Sequence, residues 1–217
     1  FLSRLFSRAE SVPLPSLEEL LQERGIPRDL PGLDDLVPDF EHQQAEERVQ
    51  WVDALAALRE AGQPLPPMWP DVQEILVPEL VPSWQGERDG FYYKPFVDGL
   101  CQQVLVGTQR MPGAWLTLWG VTAEDVLERA LDQLRDRSRK TPFQRLPSGI
   151  YQSAYGDGLD ASRLLLPELW LDLFPGQNTF VAVPNPDRLL VAPQVLLPKL
   201  LEALDGALAD SDHRLFA

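Results

Sequence analysis

Three aspartates stand beside glycine or proline turns, Asp157, Asp160 and Asp187, and carboxylates so placed are the raw material of a hard-cation site. Brought together, they would bind Mg2+ or Ca2+ and support metal-assisted hydrolysis. Their spacing matches no calcium loop, and each has a structural use as well. Asp157 lies between Gly156 and Gly158, Asp160 can cap a helix carrying Arg163, and Asp187 closes the turn Pro184-Asn-Pro-Asp187. Turn and cap roles are therefore the expected ones. Covalent catalysis has thinner material. Gln152-Ser-Ala-Tyr-Gly156 has the trailing glycine of a nucleophile elbow, but Tyr151 fills the leading glycine position, and the only histidines are the distant His42 and His213. Cys101 lies in a strand-forming run, where a thiol is expected to act as a small buried apolar group. One cysteine excludes an intrachain disulfide, and with two histidines it excludes a four-ligand zinc site. Gly156-Asp-Gly158 lacks the further glycine and the lysine of a phosphate loop. No catalytic set and no cofactor are expected.

The elements that must position these residues are punctuated by 21 prolines spread along 217 residues. Ser16-Leu-Glu-Glu19 is a capping box for a first helix, which Gly25 and Pro27 stop. Pro31 to Pro38 reads as a loop. Asp39 reads as the cap of a second helix, with Ala45, Val49, Val52 and Leu55 on its apolar face, ending at Gly62 and Pro64. Residues 64–84 are proline-rich and carry Trp69 and Trp84. A short helix around Asp71 to Leu76 and an extended Val77 to Val81 fit there, in a rigid connector whose tryptophans pack on the next domain.

The period then changes to two. Phe91 to Val97 and Leu100 to Val106 flank Asp98-Gly99, the strongest short hairpin signal, and Ala114 to Trp119 reads as a third strand. Thr122-Ala-Glu-Asp125 opens a helix whose buried stripe is Val126, Leu127, Ala130, Leu131 and Leu134. Phe143 to Tyr155 reads as two short strands broken at Pro147-Ser-Gly149, and Leu159 to Trp170 as a short helix interrupted at Pro167. A second hairpin succeeds it over 178–192, then a closing helix over 195–208. The expectation is an α+β fold: an antiparallel sheet with packed helices, preceded by an acidic, proline-rich helical segment.

Charge sets the organisation and narrows the partners. The net charge is −14, which disfavours nucleic acid and anionic membranes as partners. Residues 10–89 carry 18 acids and 5 bases, while residues 90–217 carry 15 and 12. A boundary near residue 88 is thus expected, with an acidic helical segment over 1–88 and an α+β domain over 89–217. No apolar run is long enough to span a membrane, and the cysteine usage suits a cytoplasmic protein. The chain begins at Phe1 without a methionine, and its first eight residues read as a docked or frayed end. Arg129, Arg135, Arg137, Arg139, Lys140 and Arg145 concentrate positive charge. They suit a solvated face at a helix C-terminus or a dock for the acidic segment.

Three stretches, 121–134, Asp157 to Leu165 and Thr179 to Ala192, resemble in order and spacing the YtpQ-like bacterial family of unknown function. The resemblance covers residues 90–204 and implies an α+β domain, with no catalytic residues to carry over. The functional expectation is a non-enzymatic bacterial protein acting by contact with another protein, a basic partner being one option. Glu41, Glu46 and Glu47 on the second helix are the candidate partner-binding residues. A specific version is an immunity or anti-toxin-like protein neutralising a basic partner; the rival class is a metal-assisted hydrolase using Asp157, Asp160 and Asp187.

Overall fold

The computed structural model describes residues 14–86, 90–140 and 143–210, so the expectations for the first eight residues and for His213 lie outside the described residues. Three helices come first: α1 (Leu17–Glu23), α2 (Leu33–Glu41) and α3 (Ala45–Glu60). Ser16 and Glu19 form the expected capping box, satisfying amides that a helix start would leave orphaned. The segment read as a loop is α2. Pro38 lies inside it and costs one backbone hydrogen bond, yet the helix persists because Leu33, Leu36 and Phe40 are buried on one face. Asp39 is therefore inside α2 and caps nothing. The N-cap of α3 is Gln44, whose N–H donates to the Glu47 carboxylate at 2.8 Å.

The proline-rich connector holds the single turn α4 (Trp69–Val72), shorter than expected, and then strand β1 (Leu76–Pro82) and the turn α5 (Ser83–Gly86). Proline carbonyls can accept hydrogen bonds and an indole N–H can only donate. Trp115 Nε1 donates to the Pro64 carbonyl at 3.1 Å and Trp119 Nε1 to the Pro67 carbonyl at 2.7 Å, which pins the connector to the core. Both tryptophans belong to α6 (Ala114–Trp119), not to a third strand. Thr117 is the sole polar residue of this stretch, so its sequence has no decisive period. The fold selects the helix because Trp115, Leu118 and Trp119 then share one buried face, and Gly120 at φ 65° closes it.

Strands β2 (Tyr93–Val97), β3 (Leu100–Val106) and β4 (Gln109–Arg110) complete the first sheet. Its order is β1-β3-β2, antiparallel, with β4 on the end of β3. β1 and β3 pair over seven residues, from Leu76 with Val106 to Pro82 with Leu100, so the ladder crosses the compositional step at residue 88. The main core does the same, running from Leu17 through Trp51 and Val104 to Ala130.

Helix α7 (Ala123–Arg137) has the expected capping box and buries Val126, Leu127, Ala130 and Leu134. The second sheet contains β5 (Phe143–Arg145), β6 (Tyr151–Ser153), β7 (Thr179–Asn185) and β8 (Arg188–Pro193), in the antiparallel order β5-β6-β8-β7. Before β7, the expected helix over Leu159 to Trp170 is a 3-10 turn (Ala161–Leu165) followed by α8 (Glu168–Leu171). A second 3-10 turn (Gln194–Leu196) leads into α9 (Leu197–Asp210), which packs Leu200 against one face of this sheet. Ala161 packs with Val183, Leu189 and Val191 in a separate cluster. The architecture is α+β, with two antiparallel sheets.

Two substitutions test this framework. Gly99 forms the β2–β3 turn at φ 82°, a conformation costly for a β-branched residue, so Gly99→Val should lower stability by more than about 1 kcal/mol in a chemical denaturation curve. Gln103 in β3 is 1% exposed, opposite Glu79 and Tyr93, and neither polar atom of its amide has a partner among the described residues. Gln103→Met keeps the volume and removes the unsatisfied amide. The same measurement should show a gain of about 1 kcal/mol.

Candidate functional site

The three sequence-selected aspartates do not meet as a cation site. Among the described residues no group of three or more histidine, cysteine, aspartate or glutamate side chains could hold a metal ion. Asp157 is instead committed to a cation of the chain. Arg163 is fully buried, and its Nη1 and Nη2 donate to Asp157 Oδ1 and Oδ2, both at 2.8 Å. Its Nε donates to Ser138 Oγ at 2.9 Å, and its guanidinium lies 3.4 Å from the centre of the Tyr155 ring. Ser138 passes the network on by donating to the Leu134 carbonyl at 2.7 Å, at the end of α7. Hydrogen bonds from Arg163 hold the Asp157 carboxyl below the usual carboxylate range, against a smaller opposing effect of burial.

Asp160 is not the expected helix cap. Its own backbone is helical, and its buried carboxylate turns back to accept from the N–H groups of Tyr155 at 3.3 Å and Gly156 at 3.2 Å. It thereby tightens the loop that presents Asp157. Asp187 does lie in the β7–β8 turn, where its N–H donates to Asn185 Oδ1 at 3.1 Å. The chemistry of this cluster is structural: a buried cation each of whose three nitrogens donates a hydrogen bond, and a carboxylate with both oxygens accepting.

Other candidates fall into place more simply. Cys101 is buried, and a Cβ on Gly86 would lie 2.0 Å from its Sγ, so backbone shields the thiol closely. The Ser153 hydroxyl accepts from the Leu189 N–H at 2.9 Å, which makes it a sheet-bridging group. In the basic run, Arg129 donates to the Gln73 carbonyl, Arg135 pairs with Asp132 and Glu168, and Arg139 pairs with Asp136. Those cations are engaged in local structure.

Glu41, Glu46 and Glu47 are exposed at the α2–α3 junction, and none forms an ion pair among the described residues. Glu47 stands on a groove of about 340 Å³ between α3 and the α6–α7 junction. Gln43 and Gln50 line it beside Glu47, and Leu116 and Val121 supply apolar surface. The sequence pointed to the carboxylates but not to the groove, because its other wall lies some seventy residues onward in the chain.

Arg163 was legible only in part. A single cation within Ala-Ser-Arg-Leu-Leu-Leu is a signal for a buried, paired arginine, though nothing local names Ser138 as its partner. No helix among the described residues is long and apolar enough to cross a membrane. No family model matches the chain, and neither a curated protein nor a solved structure does.

The Asp157–Arg163 pair gives a signed pH dependence. An aspartate with a depressed folded-state pKa contributes stability above its unfolded value of about 3.9, and that contribution disappears as pH falls through the folded value. Asp157→Asn leaves a buried guanidinium half-paired and should cost about 3 kcal/mol or more at neutral pH. Denaturation curves from neutrality to about pH 2 should also show a flatter acid limb for the variant than for the wild type.

Proposed function

We propose that this chain is a non-enzymatic protein that works by binding another protein, and that its partner offers basic side chains to the acidic α2–α3 junction. The observation that carries this reading is the groove beside Glu47. It combines a carboxylate, two glutamine amides and an apolar floor from Leu116 and Val121. A lysine or arginine suits such a groove, because its methylene stem packs on apolar surface while its charged head meets the carboxylate. Glu41 and Glu46 add long-range attraction that speeds encounter and weakens with salt. Neutralisation of a basic toxin by an immunity-type contact is a specific form of the same proposal. Membership of the YtpQ-like family belongs with it as a proposal, carried by the sequence resemblance of the three stretches. They contribute α7, the Arg163 loop and the β7–β8 hairpin, and Ala161 N–H donates to the Pro186 carbonyl between the last two.

The test is quantitative pulldown from the native host, with the full chain compared with the Glu41→Gln, Glu46→Gln, Glu47→Gln triple variant. Gln at Glu47 retains a capping-box residue, so the helix start is preserved. A specific partner should be captured by the wild type and lost both at high salt and with the variant. Retention of every captured protein by the variant would refute the proposed contact.

A further inference from the structure

The edges of the two sheets are treated unequally. β2 carries Lys94 and Pro95, both of which discourage further pairing, and β5 is only three residues long. On β1, the Leu80 N–H is taken by Ser162 Oγ at 3.2 Å. β7 is less guarded. It is a seven-residue end strand, Thr179–Asn185, with no charged residue. Its one proline, Pro184, stands beyond the last regular pair at Ala182, so residues 179–182 are left without such a guard.

The phase of its hydrogen bonding follows from the ladder. Gln194 N–H donates to the Asn178 carbonyl at 2.9 Å, and the same register pairs Thr179 with Pro193, Phe180 with Ala192 and Val181 with Val191. Bonded pairs alternate in an antiparallel ladder, so Phe180 bonds to β8 while Thr179 and Val181 direct their N–H and C=O groups away from it. Pro193, which has no N–H, sits opposite Thr179 as this phase requires. Among the described residues no backbone group bonds the outward amides of Thr179 and Val181.

Beside this edge is an apolar slot of about 320 Å³. It touches Val181, Ala182 and Val183 in succession, and since successive strand side chains alternate between faces, the slot runs along the edge itself. Its far wall is the β2–β3 turn, with Val97 and Asp98, and α9 contributes Leu204. Asp98 is the one charged residue among its described lining, and α9 adds exposed Asp205 next to Leu204, whereas Glu202 is paired with Lys199 at 3.0 Å.

The geometry points to a strand-addition site: an extended apolar segment of a partner protein, flanked by lysine or arginine, pairs with Thr179 and Val181, lays its backbone along the slot and turns alternate side chains toward Leu164 on one face and Leu204 on the other. A second copy of this chain is the poorer occupant. Pairing β7 with itself would bring together two acidic rims on molecules that each carry a net charge of −14. This inference rests on the protein-contact proposal and adds to it a second surface and a backbone mode of recognition.

The probe is a short synthetic peptide of alternating valine and threonine with lysines at both ends, titrated into the isotopically labelled full chain. Binding should slow amide exchange at Thr179 and Val181. N-methylation of alternate peptide amides, or exchange of the lysines for glutamates, should each weaken binding by about tenfold or more. Val97→Arg, at an exposed position, should weaken binding with an unchanged melting curve. Absence of binding, or binding indifferent to N-methylation, overturns the site. Protection of Thr179 and Val181 without peptide, together with a dimer in sedimentation, makes a second copy the occupant and overturns the choice of partner. If the peptide fails while the triple glutamine variant still loses its captured partner, strand addition falls and the contact at Glu47 stands.

Discussion

A buried guanidinium cannot be left with unsatisfied donors, and at Arg163 that constraint organises half the molecule. Removing such a charge from water costs several kcal/mol unless a counter-ion and hydrogen bonds replace hydration. Asp157, Ser138 and Tyr155 provide the replacement from the loop after β6, the end of α7 and the exit of β6. All must be in place together. Flanking residues extend the effect, since Ser162 holds the Leu80 N–H of the first sheet and Ala161 bonds to Pro186 in the second sheet's hairpin turn. The short 3-10 turn carrying Arg163 is thus the junction through which the two sheets are held.

A complementary device orders the other half. Prolines spaced through residues 64–70 prevent a regular backbone ladder, leaving carbonyls in need of donors. The indoles of Trp115 and Trp119 supply them, and Trp69 closes on Trp119 with ring centroids 5.2 Å apart. Trp51 is buried within the same core and donates to the Leu118 carbonyl at 3.2 Å, tying α3 to α6. The aromatic content is accounted for largely by packing. The two surfaces proposed for recognition are the acidic α2–α3 junction and the edge of β7.

Those two surfaces use different physics. The acidic junction attracts at a distance and is screened by salt, whereas the β7 edge offers directional backbone groups that act only on contact. Together they suit a partner that is first attracted by charge and then aligned by hydrogen bonding. Neither requires bond-making chemistry, and the residues that looked most chemical, Asp157 and Asp160, are occupied in holding the loop between them.

Local chemistry in the sequence determined the elements whose signals depend on near neighbours. Ser16 with Glu19 and Thr122 with Asp125 start helices, Asp98-Gly99 turns a hairpin, and Pro147-Ser-Gly149 separates β5 from β6. The acidic bias was equally legible, because composition needs no fold. Tertiary structure decided the rest. Pro38 is tolerated inside α2 because the core rewards burial of Leu33, Leu36 and Phe40, and Ala114 to Trp119 coils because Trp115, Leu118 and Trp119 must face one core. Asp160 turned backward, Arg163 found Ser138 twenty-five residues away, and β7 was left at the end of its sheet. These outcomes depend on which distant groups arrive beside a residue, and propensity and spacing along the chain carry no information about that arrival.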